Sequence, residues 1–148
     1  MTTVRKIIDE KARADVYTIP SDETVLRALE EMSKTNVGAL LITEDEKIVG
    51  IFTERDYARQ GEIKGRLAKD TLVRELMSRD LVMVNPETLL SECAELMYKH
   101  HVRHLPIVEK GQVVGVVSIR RLAEALLEQE KGTINKLEHY ILGTGYGE

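Results

Sequence analysis

The sequence predicts an α/β protein of the α+β type, made of two tandem βαββα units that pack pseudo-symmetrically and a C-terminal helical extension. Two observations predict this fold: an internal repeat, and the same order of strand and helix patterns in both copies. Residues 18–56 align with residues 83–121 at a constant shift of 65 without a gap, and ten of the 39 pairs are identical. A duplicated unit explains this match.

The segments before the two copies also match, now with a shift of 69, since residues 4–8 resemble residues 73–77. The change of shift indicates four extra loop residues in the first copy, around Asp9–Asp15. The predicted division is a first repeat over 1–60, a linker over 61–71, a second repeat over 72–128 and a helical extension with a mobile end over 129–148. The linker is polar and contains two glycines, which is typical of a connection between units.

Each copy begins with a short apolar strand and a turn, and a helix follows. The predicted first strands are Val16–Ile19 and Leu81–Val84, and Ser21 or Asp22 and Asn85 are candidate caps for the helices. Apolar residues at spacings of three and four predict one buried stripe on each helix. The stripe contains Val25, Leu29 and Met32 in the first copy, and Leu90, Ala94 and Met97 in the second.

A β-hairpin and a second helix complete each copy. The predicted hairpin strands are Ala39–Thr43 and Ile48–Thr53 in the first copy, and Leu105–Val108 and Val113–Ser118 in the second. Charged turns join them over residues 44–47 and 109–112, and the second helices begin near Glu54 and Ile119. A unit of about 60 residues buries too small a fraction of its surface to be more than marginally stable alone. We therefore expect the two sheets to pack face to face.

Composition excludes several classes of function. The net charge is −4 with no basic stretch, which argues against nucleic-acid binding through phosphates. No segment approaches the roughly 18 apolar residues of a membrane span, and the N-terminus lacks the apolar stretch of a secretory signal. The single cysteine, Cys93, lies in an apolar helical pattern and is predicted to be buried. These features predict a cytoplasmic protein with no membrane partner.

A Gly-x-x-Thr-x-x-Asp motif ends the first copy, as Gly50-Ile-Phe-Thr53-Glu-Arg-Asp56, and the second copy has Gly115-Val-Val-Ser118-Ile-Arg-Arg121. Gly50 allows a strand to pass close to another backbone. The Thr53 hydroxyl and the free amides at a helix start can hold an anion or a hydroxyl group, and the Asp56 carboxylate can accept hydrogen bonds from a ribose diol. The alternative is that Thr53 caps the helix and Asp56 favours its N-terminal dipole.

Arg121 cannot accept a hydrogen bond, so the second copy is predicted to lack ribose recognition. The motif, together with the segment Val102-Arg-His-Leu-Pro-Ile-Val108, resembles the tandem cystathionine-β-synthase-type (CBS) domain pair, or Bateman module. The likeness covers nearly the whole chain and is greatest to small stand-alone CBS-pair proteins, which share Thr-Glu-Arg-Asp-Tyr after the first repeat.

The resemblance implies a regulatory module that binds an adenosine-containing ligand (AMP, ADP, ATP, NAD(H) or S-adenosylmethionine), forms a homodimer and signals to a protein partner. It implies phosphate contacts for Arg103 and His104, for which exposed polar residues at a strand end are the alternative. The remaining predicted ligand residues follow from the motif, its equivalent in the second copy, and the small or apolar segments beside it. They are Ile19, Asn36, Val37, Gly38, Ala39, Ile51, Thr53, Arg55, Asp56 and Ser118.

Three histidines, His100, His101 and His104, have a spacing that could suggest a metal site. The segment leaves a helix and enters a strand, however, so the three side chains need not share a face, and we predict no metal. The chain also lacks the phosphate-binding loop, the nucleophile elbow and the paired cysteines of common enzymes, so neither catalysis nor a catalytic cofactor is predicted. The alternative to a sensor is a scaffold module without a ligand.

Overall fold

The computed structural model describes residues 2–8 and 16–142, with side chains described as far as residue 131. Two short 3₁₀ turns, at Val4–Ile7 and Ala68–Asp70, accompany the strands and α-helices, and α2 below continues as a π-helix over Tyr57–Glu62. The elements are β1 (Thr18–Pro20), α1 (Val25–Thr35), β2 (Ala39–Glu44), β3 (Lys47–Thr53), α2 (Glu54–Asp56), α3 (Val73–Leu76), α4 (Leu90–His100), β4 (His104–Glu109), β5 (Gln112–Ser118) and α5 (Ile119–Leu142).

The two hairpins have the same geometry, which confirms the predicted duplication. Strand β2 pairs antiparallel with β3, as β4 pairs with β5, and the register shifts after Ile42 and after Ile107 at equivalent places. The central turn residues are Asp45 and Glu46 in the first hairpin, and Lys110 and Gly111 in the second, all with positive φ. Two residues of positive φ are what a tight turn requires to match the twist of the strands.

The first strand of the second repeat is shorter than predicted. In the first repeat β1 runs parallel to β2, and the Leu41 amide donates to the Tyr17 carbonyl at 2.9 Å. The residue equivalent to Leu41 is Pro106, which has no amide hydrogen to donate. Of the predicted strand Leu81–Val84, only Val84 pairs, with Ile107, so that prediction was wrong in extent.

Helices α1 and α4 begin later than predicted. Thr24, not Ser21 or Asp22, caps α1 and accepts from the Arg27 amide at 3.1 Å. The Leu89 amide donates to the Glu92 carboxylate at the start of α4. Asn85 instead accepts from the Glu87 amide at 2.8 Å, an arrangement that forms a turn rather than a cap.

The predicted helical stripes are confirmed. Val25 and Met32 of α1 and Leu90 and Met97 of α4 are buried, and Leu29 and Ala94 pack against the same clusters.

Each core receives a segment that precedes the other repeat in sequence. Val4 and Ile7 pack with the core of the second repeat, where the Val4 amide donates to the Thr88 carbonyl at 2.8 Å. Val73 and Leu76 pack with the core of the first repeat. Each core thus contains the segment that comes before the other sequence copy, and we call residues 4–7 and 73–76 the exchanged segments.

A third apolar cluster joins the two sheets, which confirms that they pack face to face. Ala39, Leu41 and Ile51 contribute from the first sheet and Val116 from the second. Cys93 is buried in the second core as predicted, and burial raises the pKa of its thiol to about 11, so that the thiol stays protonated.

Spacings of three and four also predict a stripe along the C-terminal extension that is interrupted at Gly132 and contains Leu122, Leu126, Glu130, Ile134, Leu137 and Ile141. Helix α5 instead continues through Gly132. Leu122 is buried and Leu126 is half-buried, in agreement with the predicted apolar stripe. The stripe positions 134, 137 and 141, the loop over 9–15 and the predicted mobile end at 143–148 lie outside the residues whose side chains are described. Among the described helices, none is long and apolar enough to cross a membrane.

Candidate ligand-binding site

A cavity of about 430 Å³ lies where the end of β3 and helix α2 face the segment between α4 and β4. We call it the polar cavity. Its walls come from both repeats, and its size suits a small-molecule ligand. It is lined by Gly38, Ile51, Thr53, Glu54, Arg55, Asp56, Arg59, Gln60, Ser78, His100, His101, Val102, Arg103 and His104.

The polar cavity brings together seven of the twelve residues predicted from the sequence. Residues of the first repeat provide a hydroxyl, a carboxylate and a guanidinium, and the second repeat provides a guanidinium and an imidazole. The seven are Gly38, Ile51, Thr53, Arg55, Asp56, Arg103 and His104.

The other five predicted residues lie outside this cavity. Ile19 is buried in the core of the first repeat and Ala39 is buried between the sheets. Asn36 ends α1 in the left-handed conformation, and with Val37 it lines a separate cavity beside α1. The Ser118 hydroxyl accepts from the Arg121 amide at 3.1 Å and so caps α5.

Sequence reasoning missed seven residues of the polar cavity: Glu54, Arg59, Gln60, Ser78, His100, His101 and Val102. Arg59 and Gln60 lie one helical turn after Asp56, so their spacing was a usable signal. Ser78 gave no such signal in the sequence. It lies at the site because it pairs with Ile51, just after the exchanged segment α3.

Thr53 and Asp56 form a reciprocal cap at the start of α2. The Asp56 amide donates to Thr53 Oγ1 at 3.1 Å, and the Thr53 amide donates to Asp56 Oδ2 at 2.9 Å. These hydrogen bonds are the helix cap that the sequence analysis gave as the alternative to ribose binding. These hydrogen bonds engage only one oxygen of the carboxylate, so Oδ1 is available to a ligand hydroxyl. Burial raises the pKa of Asp56, and the hydrogen bonds from Thr53 oppose that rise.

Three arginines make one side of the polar cavity strongly cationic. Nearby Arg103, and then Arg59, lower the pKa of Arg55 because neighbouring positive charges repel. None of the three takes part in the ion pairs formed among the described residues. An anion between Arg55 and Arg103 would relieve this repulsion and accept charge-assisted hydrogen bonds.

His104 lies at the junction of the two repeats. Burial, and then the charge of Arg103, lower the pKa of its imidazole. Its Nδ1 is buried and has no hydrogen-bond partner. A protonated Nδ1 would bury an unpaired donor, so we assign the neutral form with the proton on Nε2. Nε2 lies 3.7 Å from where a Cβ on Gly38 would be, and Glu54 Oε1 lies 3.5 Å from that point.

The three histidines considered for a metal site differ in their exposure to solvent. His100 and His101 are exposed, and His104 is half-buried. Within the described part of the chain, no group of three His, Cys, Asp or Glu side chains is placed to hold a metal ion.

Comparisons with family models, with related sequences and with solved structures all lead to the same family. The family model described as "CBS domain" matches residues 4–61 and 73–128. A mitochondrial CBS domain-containing protein of Arabidopsis thaliana, CBSX3, is 35% identical over 131 residues, which is 85% of this chain and 63% of that protein.

Two solved structures share the fold. A CBS-domain protein from Burkholderia ambifaria MC40-6 matches with a TM-score of 0.81 and 35% identity, covering 86% of this chain and 95% of that one. The CBS domain pair of protein MJ0100 matches with a TM-score of 0.73 and 22% identity, covering 87% and 98%. That structure holds 5′-methylthioadenosine and S-adenosyl-L-methionine.

Proposed function

We propose a function for this chain as a pair of CBS domains, the family to which it belongs. The chain is a regulatory sensor that binds an adenosine-containing ligand and passes the bound state to a protein partner. AMP, ADP, ATP, NAD(H) and S-adenosylmethionine are the candidate ligands. The ligand acts by binding unequally to two arrangements of the protein, because only a difference of affinity can shift such an equilibrium.

One observation carries this proposal: the polar cavity holds a hydroxyl-binding end and an anion-binding end within about 430 Å³. Asp56 Oδ1 and Thr53 suit a ribose, since a carboxylate accepts from a diol. Arg55, Arg59 and Arg103 suit phosphates, since their guanidinium groups form forked hydrogen bonds with phosphate oxygens. The adenosine-type ligands in the MJ0100 structure, which shares the fold, support the same class of ligand.

We further propose that two copies of the chain form the signalling unit. Several large apolar side chains on α4 and α5 are exposed, among them Tyr98 at 84%, Leu127 at 62% and Ile119 at 47%. A protruding apolar face of this kind is typical of an interaction surface, and a two-fold pair buries the same face twice. Analytical ultracentrifugation should find a dimer, and a monomer at all concentrations would contradict this part of the proposal.

The remaining assignments follow from the composition. We propose a non-catalytic, cytoplasmic protein that binds neither nucleic acid nor membranes, with the nucleotide as a regulatory ligand rather than a catalytic cofactor. A chain of net charge −4 without a basic stretch supports the lack of nucleic-acid binding.

Isothermal titration with each of the five candidate ligands tests the proposal. At least one should bind with a measurable heat, and it should also raise the melting temperature, because a ligand at about 100 times its dissociation constant adds roughly 2.7 kcal/mol to stability. No heat with any of them at millimolar concentration would overturn the sensor function.

The second candidate is a scaffold module that has no ligand. The observation favouring it is Arg121, which replaces the motif's carboxylate in the second repeat. A scaffold would keep its partner and its melting temperature when nucleotide is added. A sensor would change at least one of them.

A further inference from the structure

A second cavity, of about 450 Å³, lies between helices α4 and α5. We call it the α4–α5 groove. Its floor and walls are mainly apolar, and one end is cationic. It is lined by Arg55, Ala94, Met97, Tyr98, His101, Val102, Arg103, Ile119, Leu122, Ala123 and Leu126. Four of these residues, Arg55, His101, Val102 and Arg103, also line the polar cavity.

The shared residues 101–103 are hydrogen-bonded to both helices of the groove. His101 ends α4 in the left-handed conformation, with φ of 55°, and the Val102 amide donates to the Met97 carbonyl at 3.1 Å. The Ile119 amide, at the first residue of α5, donates to the Arg103 carbonyl at 2.8 Å. The backbone of residues 101–103 therefore connects the end of α4 to the start of α5.

Arg55 is the first-repeat residue that both cavities share. It comes from α2, faces Arg103 across the boundary, and is repelled by it. An anion in the polar cavity neutralises this repulsion, so that Arg55 and Arg103 can approach each other. Arg59 also faces the polar cavity but does not line the groove.

We infer that Arg55 and the segment 101–103 transmit anion binding in the polar cavity to the α4–α5 groove, whose Tyr98 and Ile119 belong to the apolar face proposed above to join two copies of the chain. The inference rests on the proposed function and adds to it the route and the responding surface. The coupling is energetic, since the anion changes which positions of Arg55 and Arg103 are favoured.

Methyl NMR can follow both cavities in the full chain. The Ile119 and Leu126 methyl groups report on the groove and lie outside the polar cavity. The Ile48 and Met83 methyl groups serve as references, because they line a cavity that shares no residue with either. Pyrophosphate and ATP are the probes. In the wild-type chain, the groove signals should shift and should saturate at the same concentration as the binding heat.

Arg55→Gln and Arg59→Gln form a matched pair of variants. Each removes one positive charge from the polar cavity, so both should weaken pyrophosphate binding several-fold. At saturating probe, Arg59→Gln should keep the groove shifts, whereas Arg55→Gln should lose at least half of their amplitude. Circular dichroism checks that both variants are folded.

The outcomes separate the inference from the proposed function. Saturable binding with unmoved Ile119 and Leu126 signals would overturn the inference and leave the sensor function standing. Full groove shifts in Arg55→Gln would also overturn it. An absence of binding by pyrophosphate, ATP and the other candidate ligands in the wild-type chain would overturn both.

Discussion

The two repeats share a fold and differ in chemistry at equivalent positions. Beside α1, the first repeat has a cavity of about 460 Å³ lined by Ser33, Gly38, Glu54 and other residues. The equivalent positions in the α4–α5 groove hold Tyr98, Arg103 and Ile119. Several pairs that are identical between copies lie in the cores instead, as with Met32 and Met97, Leu40 and Leu105, and Ile42 and Ile107.

The duplicated fold tolerates more change around its cavities than in its cores. Core positions are held by close packing, whereas cavity-lining positions can change charge and size without disturbing it. The first repeat has the carboxylate of Asp56 where the second has Arg121, and the second has Arg103 where the first has Gly38. The polar cavity uses both, so the asymmetry between the repeats is itself what builds one mixed site.

The largest effects should come from the exchanged segments. Val4 and Val73 are both completely buried, each in the core of the other repeat. Truncation of either to alanine should cost about 2 kcal/mol or more of unfolding free energy, from lost burial and the cavity left behind. Hydrogen exchange should locate the loss: Val4→Ala should deprotect β4 and β5, and Val73→Ala should deprotect β2 and β3. The reverse pattern would mean that each segment supports its own sequence copy.

A glycine pair gives a smaller effect. A Cβ on Gly50 would lie 2.7 Å from the Ser78 carbonyl oxygen and 3.0 Å from Met77 Sδ, so Gly50→Ala should destabilise the protein by roughly 1–3 kcal/mol. Gly38→Ala is the control, because its nearest contact, at 3.5 Å, is ordinary. Urea unfolding measures both. Equal stability of the two variants would show that β3 does not need its close approach to Ser78.

The smallest effect is a dependence on pH. The folded state lowers the pKa of His104 by burial and by the charge of Arg103, so the unfolded chain binds more protons just below about pH 6.5. The contribution of His104 to stability is therefore complete above that pH and is lost as pH falls towards the folded pKa. His104→Gln should flatten the slope of unfolding free energy over this range. A slope in His104→Gln equal to that of the wild type would contradict the assignment.

Local patterns allowed much of the fold to be predicted, because hairpins and helical stripes depend on neighbouring residues. The hairpins, the starts of α2 and α5 and the burial of Cys93 agree with the sequence. The wrong predictions depended on residues distant in sequence or on a choice between neighbouring capping residues. Pro106 shortens the pairing of the strand at Val84 through a missing donor on the neighbouring strand, and Thr24 rather than Ser21 caps α1.

The site was predicted where its residues belong to a motif. Gly50 to Asp56 and Arg103–His104 led to the polar cavity, whereas Ser78 was reachable only through the exchanged segment, which no local pattern reveals. Ile19 and Ala39 were chosen as apolar walls, and the packing of the cores and of the sheets buries both instead.

A single ligand site built from both repeats predicts one bound ligand per chain. Calorimetric titration of ATP should give one site per chain in the wild type and in Arg121→Ala. Asp56→Ala should bind at least about tenfold more weakly, since a hydrogen bond to a charged group contributes about 1.5–3 kcal/mol. Two equal sites per chain, or wild-type affinity in Asp56→Ala, would contradict a single site built from both repeats.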